Sequence, residues 1–377
     1  MKIAFFAARR VHQQYFNRLS SCLQEQDIDA CVIWHKLLWC DLRWLGQIPG
    51  QRAELATIVD DHLREKKNSR KGRSRSADYW RYFRRVKLAE AYLLFAVYRQ
   101  ALATSQATHM VLWNGLKFRQ RIVIAAAQSL GIKVLVMENG LLPGMTTLDA
   151  LGVNFLNSVP RDPAFFIARS GNSNLQPSPV FERPEDLPEH YIFIPFQVNT
   201  DSQVVLFSPW LQDMFALTEA LLAAEKVLGE NMPDVVLKTH PSCDQDYTEL
   251  ARQLSTQSQK IQLRLTGDTQ AMIAHADAVA TINSTVGIEA IIANINTLVL
   301  GQAFYNLPGL TLSAQSQNEL EQQLPKLAQF SPNPTVRQGF LHYLQHSYQI
   351  PGRWQEADDA HLQAACAHLL REVKALG

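Results

Sequence analysis

The stretch ADAVATINSTVGIEAIIANINTLVL, residues 276–300, decides the fold class. Ala276–Thr281 is a short, mostly apolar run, the pattern of a strand buried on both faces. Asn283, Ser284 and Thr285 are residue types that start helices, and helical spacing follows over Thr285–Ala293. Thr297–Leu300 is a second apolar run. Strand, helix and strand in this order predict a βαβ unit with parallel strands.

The same alternation extends in both directions. Upstream, Tyr191–Phe196 reads as a strand, Pro209–Leu228 as a helix, and Asp234–Lys238 and Ile261–Leu265 as strands. Nearer the start, Lys2–Phe6, Ala30–Trp34, His109–Trp113 and Lys133–Met137 read as strands, with a helix near Phe118–Leu130. Residues 51–104 are helical by pattern, and the tail from Pro334 to Gly377 is helical. Residues 151–189 lose periodicity and are rich in Pro, Asn, Ser and Gly, as in SGNSNLQPSP at 170–179, which predicts loop and linker. The expected fold is therefore α/β: two Rossmann-like domains facing a cleft, of the glycosyltransferase B kind, with a C-terminal helical tail. The boundary falls at 185, giving domains 1–185 and 186–377.

Composition sets outer limits. The chain has 377 residues, 47% hydrophobic and 19% charged, which excludes a disordered or coiled-coil protein. A net charge of +1 excludes a generally basic nucleic-acid binder. The average conceals a contrast. Residues 64–87 hold eleven basic side chains against Glu65 and Asp78, a net of +9, leaving −8 elsewhere. Trp80, Tyr82 and Phe83 lie among these cations, a composition suited to an anionic membrane interface. A solvated helix face is the ordinary alternative. Cys22, Cys31, Cys40, Cys243 and Cys366 are odd in number and form no CxxC pair, which points to a reducing compartment. The opening MKIAFFAARRVHQQ lacks a secretory pattern, and no apolar run reaches the roughly 20 residues of a membrane span. A cytoplasmic protein is expected, peripheral on the inner face of the membrane if the basic segment binds lipid.

In open α/β sheets ligands bind beyond the carboxyl ends of the strands. Four polar groups fall there: Trp113-Asn114-Gly115, Glu138-Asn139-Gly140, Lys238-Thr239-His240-Pro241 and Asn283-Ser284-Thr285. The last opens a helix, whose free N–H groups and dipole favour phosphate. Gly287 would permit close approach, and Glu289 could accept from ribose hydroxyls. An ordinary N-cap explains the same residues. Lys238 and His240 could neutralise a departing nucleotide phosphate. Glu138, at a strand end, suits acid/base work, and Asp201 lies just after another strand; a turn or cap is the plainer account of Asp201.

These residues together resemble the retaining β-Kdo glycosyltransferases of capsule and O-antigen synthesis, a family of capsule polysaccharide biosynthesis proteins. They move 3-deoxy-manno-octulosonic acid (Kdo) from CMP-Kdo. The resemblance runs from about Trp113 to Tyr305. It rests on Glu138-Asn139-Gly140, Gly152-Val153-Asn154, Pro160-Arg161-Asp162, Gln197 with Asp201, Lys238 with His240-Pro241, Ser284-Thr285 with Gly287 and Glu289-Ala290, and Gly301 with Phe304-Tyr305. It implies that Asp201 is the nucleophile and Glu138 the acid/base. Lys238, Ser284, Thr285 and a catalytic His240 would bind the CMP phosphate and Glu289 the ribose, with Asn283 and Gly287 in the same donor site. Asn139, Gly140, Asn154, Arg161 and Gln197 become candidate sugar contacts. The first domain, with its basic helical insertion 51–104, would take a lipid-linked or glycan acceptor of anionic character. The second would take the nucleotide-sugar donor. No metal, cofactor or nucleic acid is expected. Two alternatives stay open: a CDP-glycerol-type polymer transferase, and a non-catalytic capsule assembly or export partner.

Overall fold

The computed structural model describes residues 1–36, 49–169, 171, 173, 175 and 181–376. Cys40 and most of the 170–179 linker lie outside the described residues. The chain divides into two compact units. The first comprises Met1–Arg64, Arg75–Ser158 and Tyr348–Gly377; the second comprises Glu65–Ser74 and Val159–Ser347.

In the first unit, β1 (Lys2–Ala7), β2 (Asp29–Trp34), β3 (His109–Trp113), β4 (Lys133–Asn139) and β5 (Met145–Asp149) form one sheet. In the second, β6 (Ile192–Pro195), β7 (Val235–Lys238), β8 (Ile261–Arg264), β9 (Ala278–Thr281), β10 (Asn296–Val299) and β11 (Leu312–Ser313) form another. A final two-residue strand, β12 (Ile350–Pro351), returns to the first sheet.

The second sheet runs β11-β10-β9-β6-β7-β8, and every pairing is parallel. The chain enters at β6, builds β7 and β8 to one side, then crosses to β9 on the other. The loops after β6 and β9 thus diverge at a topological switch point, where such sheets bind ligands. β6 is buried on both faces, which explains its unbroken apolar sequence. Ile192 and Ile194 meet Met214, Leu217 and Leu221 on one side. Phe193 meets Met272, Ile273 and Val279 on the other. Each such side chain contributes about 1.5–3 kcal/mol on burial.

The first sheet runs β12-β5-β4-β3-β1-β2. Its switch point lies between β1 and β3. β5 and β12 are antiparallel and were not foreseen from sequence. β5 is short and polar (MTTLD), so it carries little apolar pattern. The C-terminal helix Asp359–Ala375 packs Leu362, Ala365, Cys366 and Leu369 into the core with Phe16, Leu19 and Leu23 of helix Arg10–Gln24.

Three sequence expectations change. The partition places 159–185 with the second unit and 348–377 with the first, against a single boundary at 185. The physical reason is burial: Phe166 packs on Phe340, while Ile350 and Cys366 complete the first core. The expected loop 151–189 contains a helix, Pro163–Ile167, capped by Asp162. The helix expected from Pro209 starts at Met214, because Asp213 caps it by accepting from the Ala216 N–H. The helical character of 51–104 is present, as Arg52–Lys67 and Ala77–Ser105. Among the described residues, no helix is long and apolar enough to cross a membrane.

Candidate functional site

In the second unit, polar residues gather beyond β6, β7 and β9. Asp201 caps the short helix Ser202–Phe207, its Oδ1 accepting from the Gln203 N–H at 2.9 Å. Lys238 ends β7 and is 7% exposed. Burial lowers its pKa, with Asp268 opposing. His240, two residues on, is exposed to solvent on one side. Its pKa is lowered first by burial, then held up by Asp201 and pushed down by Lys238. Pro195 of β6 pairs with Lys238 of β7, so the loops that bear Asp201 and His240 leave adjacent strands at the same edge. The Ser242 N–H donates to His240 Nδ1 at 3.1 Å. In the neutral ring the proton therefore sits on Nε2, leaving that atom as a donor.

Asn283 and Gln197 bond each other. Gln197 Nε2 donates to Asn283 Oδ1 at 3.0 Å, and the Asn283 N–H donates back to Gln197 Oε1 at 3.2 Å. Asn283 Nδ2 also donates to the carbonyls of Gln203 and Phe207. Both residues are buried, so this amide pair ties the β6 loop and the Asp201 helix to β9. Ser284 Oγ accepts from the Val286 N–H at 3.2 Å, and Thr285 is exposed at the start of helix Val286–Ile292. A Cβ on Gly287 would lie 2.6 Å from the Tyr305 ring. That ring in turn donates from its hydroxyl to the Ser284 carbonyl at 2.5 Å. Gly287 thus serves tight packing of Tyr305. Glu289 accepts from Gln270 Nε2 at 2.5 Å, and burial raises its pKa. Arg161 is exposed and lies over the Phe304 ring at 5.7 Å.

In the first unit, Glu138 is the penultimate residue of β4 and receives a set of donors. Trp113 Nε1 donates to Oε1 at 3.2 Å, Asn114 Nδ2 to Oε2 at 2.6 Å, and the Asn139 N–H to Oε1 at 2.9 Å. Three donors thus converge on the two oxygens of this side chain. Asn114 reaches it from a left-handed backbone (φ 70°), a conformation asparagine tolerates. Gly140 has no room for a Cβ, which would strike the Met145 carbonyl. Asn154 also has positive φ (54°) and starts the turn Asn154–Leu156. That loop is fastened by Asp149. Its carboxylate accepts from the N–H groups of Leu151, Gly152 and Ser158 and from the hydroxyls of Ser158 and Tyr348.

Sequence reading missed Asp149, Asn199, Gln203 and Trp354. Asn199 is buried, accepts from the Met214 N–H and donates to Tyr247 Oη at 2.9 Å. Gln203 is 8% exposed, with both amide atoms unpaired. Its position in the first turn after Asp201 was the only available signal. Trp354 had none, standing 215 residues from its partner Asn139.

The basic segment is more neutralised than its sequence suggests. Arg64 pairs with Asp61, Arg81 with Asp78, Arg84 with Asp60 at 2.6 Å and Lys87 with Glu90 at 2.7 Å. Residues 65–74 cluster with the second unit. There Arg73 bonds Asp213 at 2.6 Å and covers the Phe215 ring, and Asn68 Nδ2 donates to the Gln212 carbonyl at 3.1 Å. Tyr82, 69% exposed, and Val86 lie open on helix Ala77–Ser105.

Two α/β units, each with polar loops at the ends of its parallel strands, define a glycosyltransferase-B-like fold. A solved structure with that build is the β-Kdo 2,7 transferase KpsC of Thermosulfurimonas dismutans, with a TM-score of 0.52 over 98% of this chain and 99% of that one, at 13% identity. The profile of the capsule polysaccharide biosynthesis protein family matches residues 181–354. Protein FixF of Sinorhizobium fredii is 30% identical, the match covering 73% of this chain and 69% of FixF. The capsule polysaccharide export protein KpsS of Escherichia coli is 26% identical over 59% of this chain and 73% of its own length. This chain belongs to the capsule polysaccharide biosynthesis protein family.

Proposed function

We propose that the chain is a retaining β-Kdo transferase. It would take Kdo from CMP-Kdo and pass it to a lipid-linked or glycan acceptor in capsule or related surface-polysaccharide synthesis. The observation that carries this reading is the placement of Asp201, Lys238 and His240 at or beyond the carboxyl ends of the adjacent strands β6 and β7. A carboxylate there can attack an anomeric carbon, and two cationic or donor groups can receive the phosphate that leaves.

In the proposed sequence, an Asp201 oxygen bonds to the anomeric carbon of Kdo as the bond to CMP breaks. The CMP phosphate takes the electron pair, with Lys238 and His240 Nε2–H as its donors. Glu138 then accepts the acceptor hydroxyl proton as that oxygen displaces Asp201. Two displacements retain configuration. Ser284, Thr285 and Glu289 are assigned to the nucleotide. Gln197, Asn283 and Gly287 are assigned instead to holding this edge in shape. Asn139, Asn154 and Arg161 remain proposed sugar contacts.

Kdo carries its own carboxylate beside the reacting carbon, so Asp201 attacks against like charge, and Lys238 is suited to offset it. Mass spectrometry of the protein with CMP-Kdo generated in situ tests the reading: a Kdo adduct on the peptide bearing Asp201 is expected. Transfer without any adduct, or an adduct elsewhere, would remove the nucleophile assignment. The word export in the name of KpsS favours a second reading, a binding partner that needs no nucleotide. Thermal shifts with CMP, CDP-glycerol and UDP separate the readings, since a ligand of the folded state raises its stability. CMP alone should do so.

We further propose that helix Ala77–Ser105 meets an anionic membrane through Tyr82, Val86 and Arg85. Liposome binding that survives neutralisation of Arg81, Arg84 and Arg85 would refute it.

A further inference from the structure

The surroundings of Glu138 hold more than a catalytic carboxylate requires. β3 and β4 are in register with Trp113 opposite Met137, and at this strand end the Trp113 indole N–H reaches Glu138. Trp113 and Trp354 rings lie 4.5 Å apart at 51°. His12 stacks on Trp113 at 4.9 Å and meets the edge of Trp354 at 5.4 Å. Tyr15 closes the group, 5.9 Å from Trp354. His361 Nδ1 lies 2.7 Å from the Pro351 carbonyl, which only accepts. His361 Nε2 therefore accepts from the Tyr15 hydroxyl at 2.8 Å. The Trp354 backbone N–H is anchored on Thr146 Oγ1 at 3.1 Å. The cluster is a rigid aromatic block, and both indole N–H groups leave it toward Glu138-Asn139.

Each indole N–H has one use. Trp113 Nε1 donates to Glu138 Oε1, and Trp354 Nε1 donates to Asn139 Oδ1 at 2.8 Å. An indole N–H cannot accept, so the Asn139 oxygen must face it. The exposed Asn139 side chain then presents its NH₂ as the outward group. We propose that Trp113 and Trp354 are positioning residues: Trp113 orients the Glu138 carboxylate, and Trp354 turns the Asn139 amide so that it donates to an oxygen of the bound acceptor. The class of group recognised beside Glu138 is thus a hydrogen-bond acceptor, a sugar hydroxyl oxygen or carboxylate, and not an amine. This rests on the reading of Glu138 as the acid/base, and the tests keep the two apart.

In the intact protein carrying ¹⁵N-tryptophan, the Trp113 indole resonance should move with the titration of Glu138 and lose that dependence in Glu138→Gln. No variant of the block is needed, so folding does not cloud the result. An indole that ignores Glu138 overturns the Trp113 half, whatever the activity. Trp113→Phe keeps an aromatic ring and drops the N–H; the Glu138 carboxyl, followed by ¹³C NMR, should then titrate about half to one unit higher. The acid limb of the pH–rate profile should move with it. An unmoved titration refutes the proposal. Trp354→Phe should raise the acceptor KM about fivefold with kcat little changed. A fall in kcat at constant acceptor KM overturns the Trp354 half. If the indole follows Glu138 while Glu138→Gln keeps full transfer, the positioning stands and the acid/base reading falls.

Discussion

The two candidate carboxylates are held in opposite ways. Glu138 is surrounded by donors from Trp113, Asn114 and the Asn139 backbone, on a block of stacked rings. Asp201 has one described bond, to the Gln203 N–H at a helix start, with a histidine and a lysine nearby. The first arrangement would suit the proposed acid/base, which exchanges a proton along one line. The second would suit the proposed nucleophile, leaving one carboxylate oxygen without a described bond. The first unit thus holds its carboxylate tightly, and the second leaves its own more open.

Five experiments bear on that contrast, taken from the largest effect downward. Asp201→Asn keeps an oxygen for the helix cap and loses the nucleophile, so transfer should fall at least about a thousandfold at nearly unchanged stability. Comparable turnover in that variant breaks the contrast outright. Glu138→Gln should reduce transfer by roughly a hundredfold or more, measured at saturating CMP-Kdo, and abolish the acid limb of the pH–rate profile. Gln197→Ala should cost about 1–3 kcal/mol in denaturant unfolding, because it leaves the buried Asn283 amide short of a partner. Gly287→Ala should destabilise by a similar about 1–3 kcal/mol by displacing Tyr305. An effect on CMP binding with no loss of stability would instead restore Gly287 as a ligand contact.

The smallest expected effect is in pH dependence. Burial, helped by Arg9, lowers the His12 pKa from 6.5 to about 4. The unfolded chain therefore binds the proton first as pH falls. Stability is full above about 6.5 and declines toward 4. His368 behaves alike, lowered to about 4 by burial and then by Arg371. In His12→Phe the thermal midpoint should fall less steeply across that window. An identical slope would show that His12 is not the group titrating beneath Glu138.

What the sequence discloses follows from how local each signal is. The strands β1, β3, β4, β6, β7 and β9 are short apolar runs with polar ends, so they and the motifs on them could be read directly. β12 has only two residues, and β11 likewise, too few for any pattern. Gln197, Asn283 and Gly287 were legible as special positions, but their bonds and packing were not. Their partners are each other and Tyr305, distant in sequence. The charge of 64–87 was countable, whereas its pairing with Asp60, Asp61 and Asp213 required the fold.

The interleaving of the two units has a consequence for biosynthesis. The first unit's sheet and core need β12 and helix Asp359–Ala375, which the ribosome delivers after the whole of Val159–Ser347. At ~5–20 residues per second, that delay is roughly ten to forty seconds. Throughout it, the nascent first unit holds Phe16, Leu19 and Leu23 without their C-terminal cover. The second unit, needing only Glu65–Ser74 from earlier, can complete before the first. Order of assembly thus runs against order of translation.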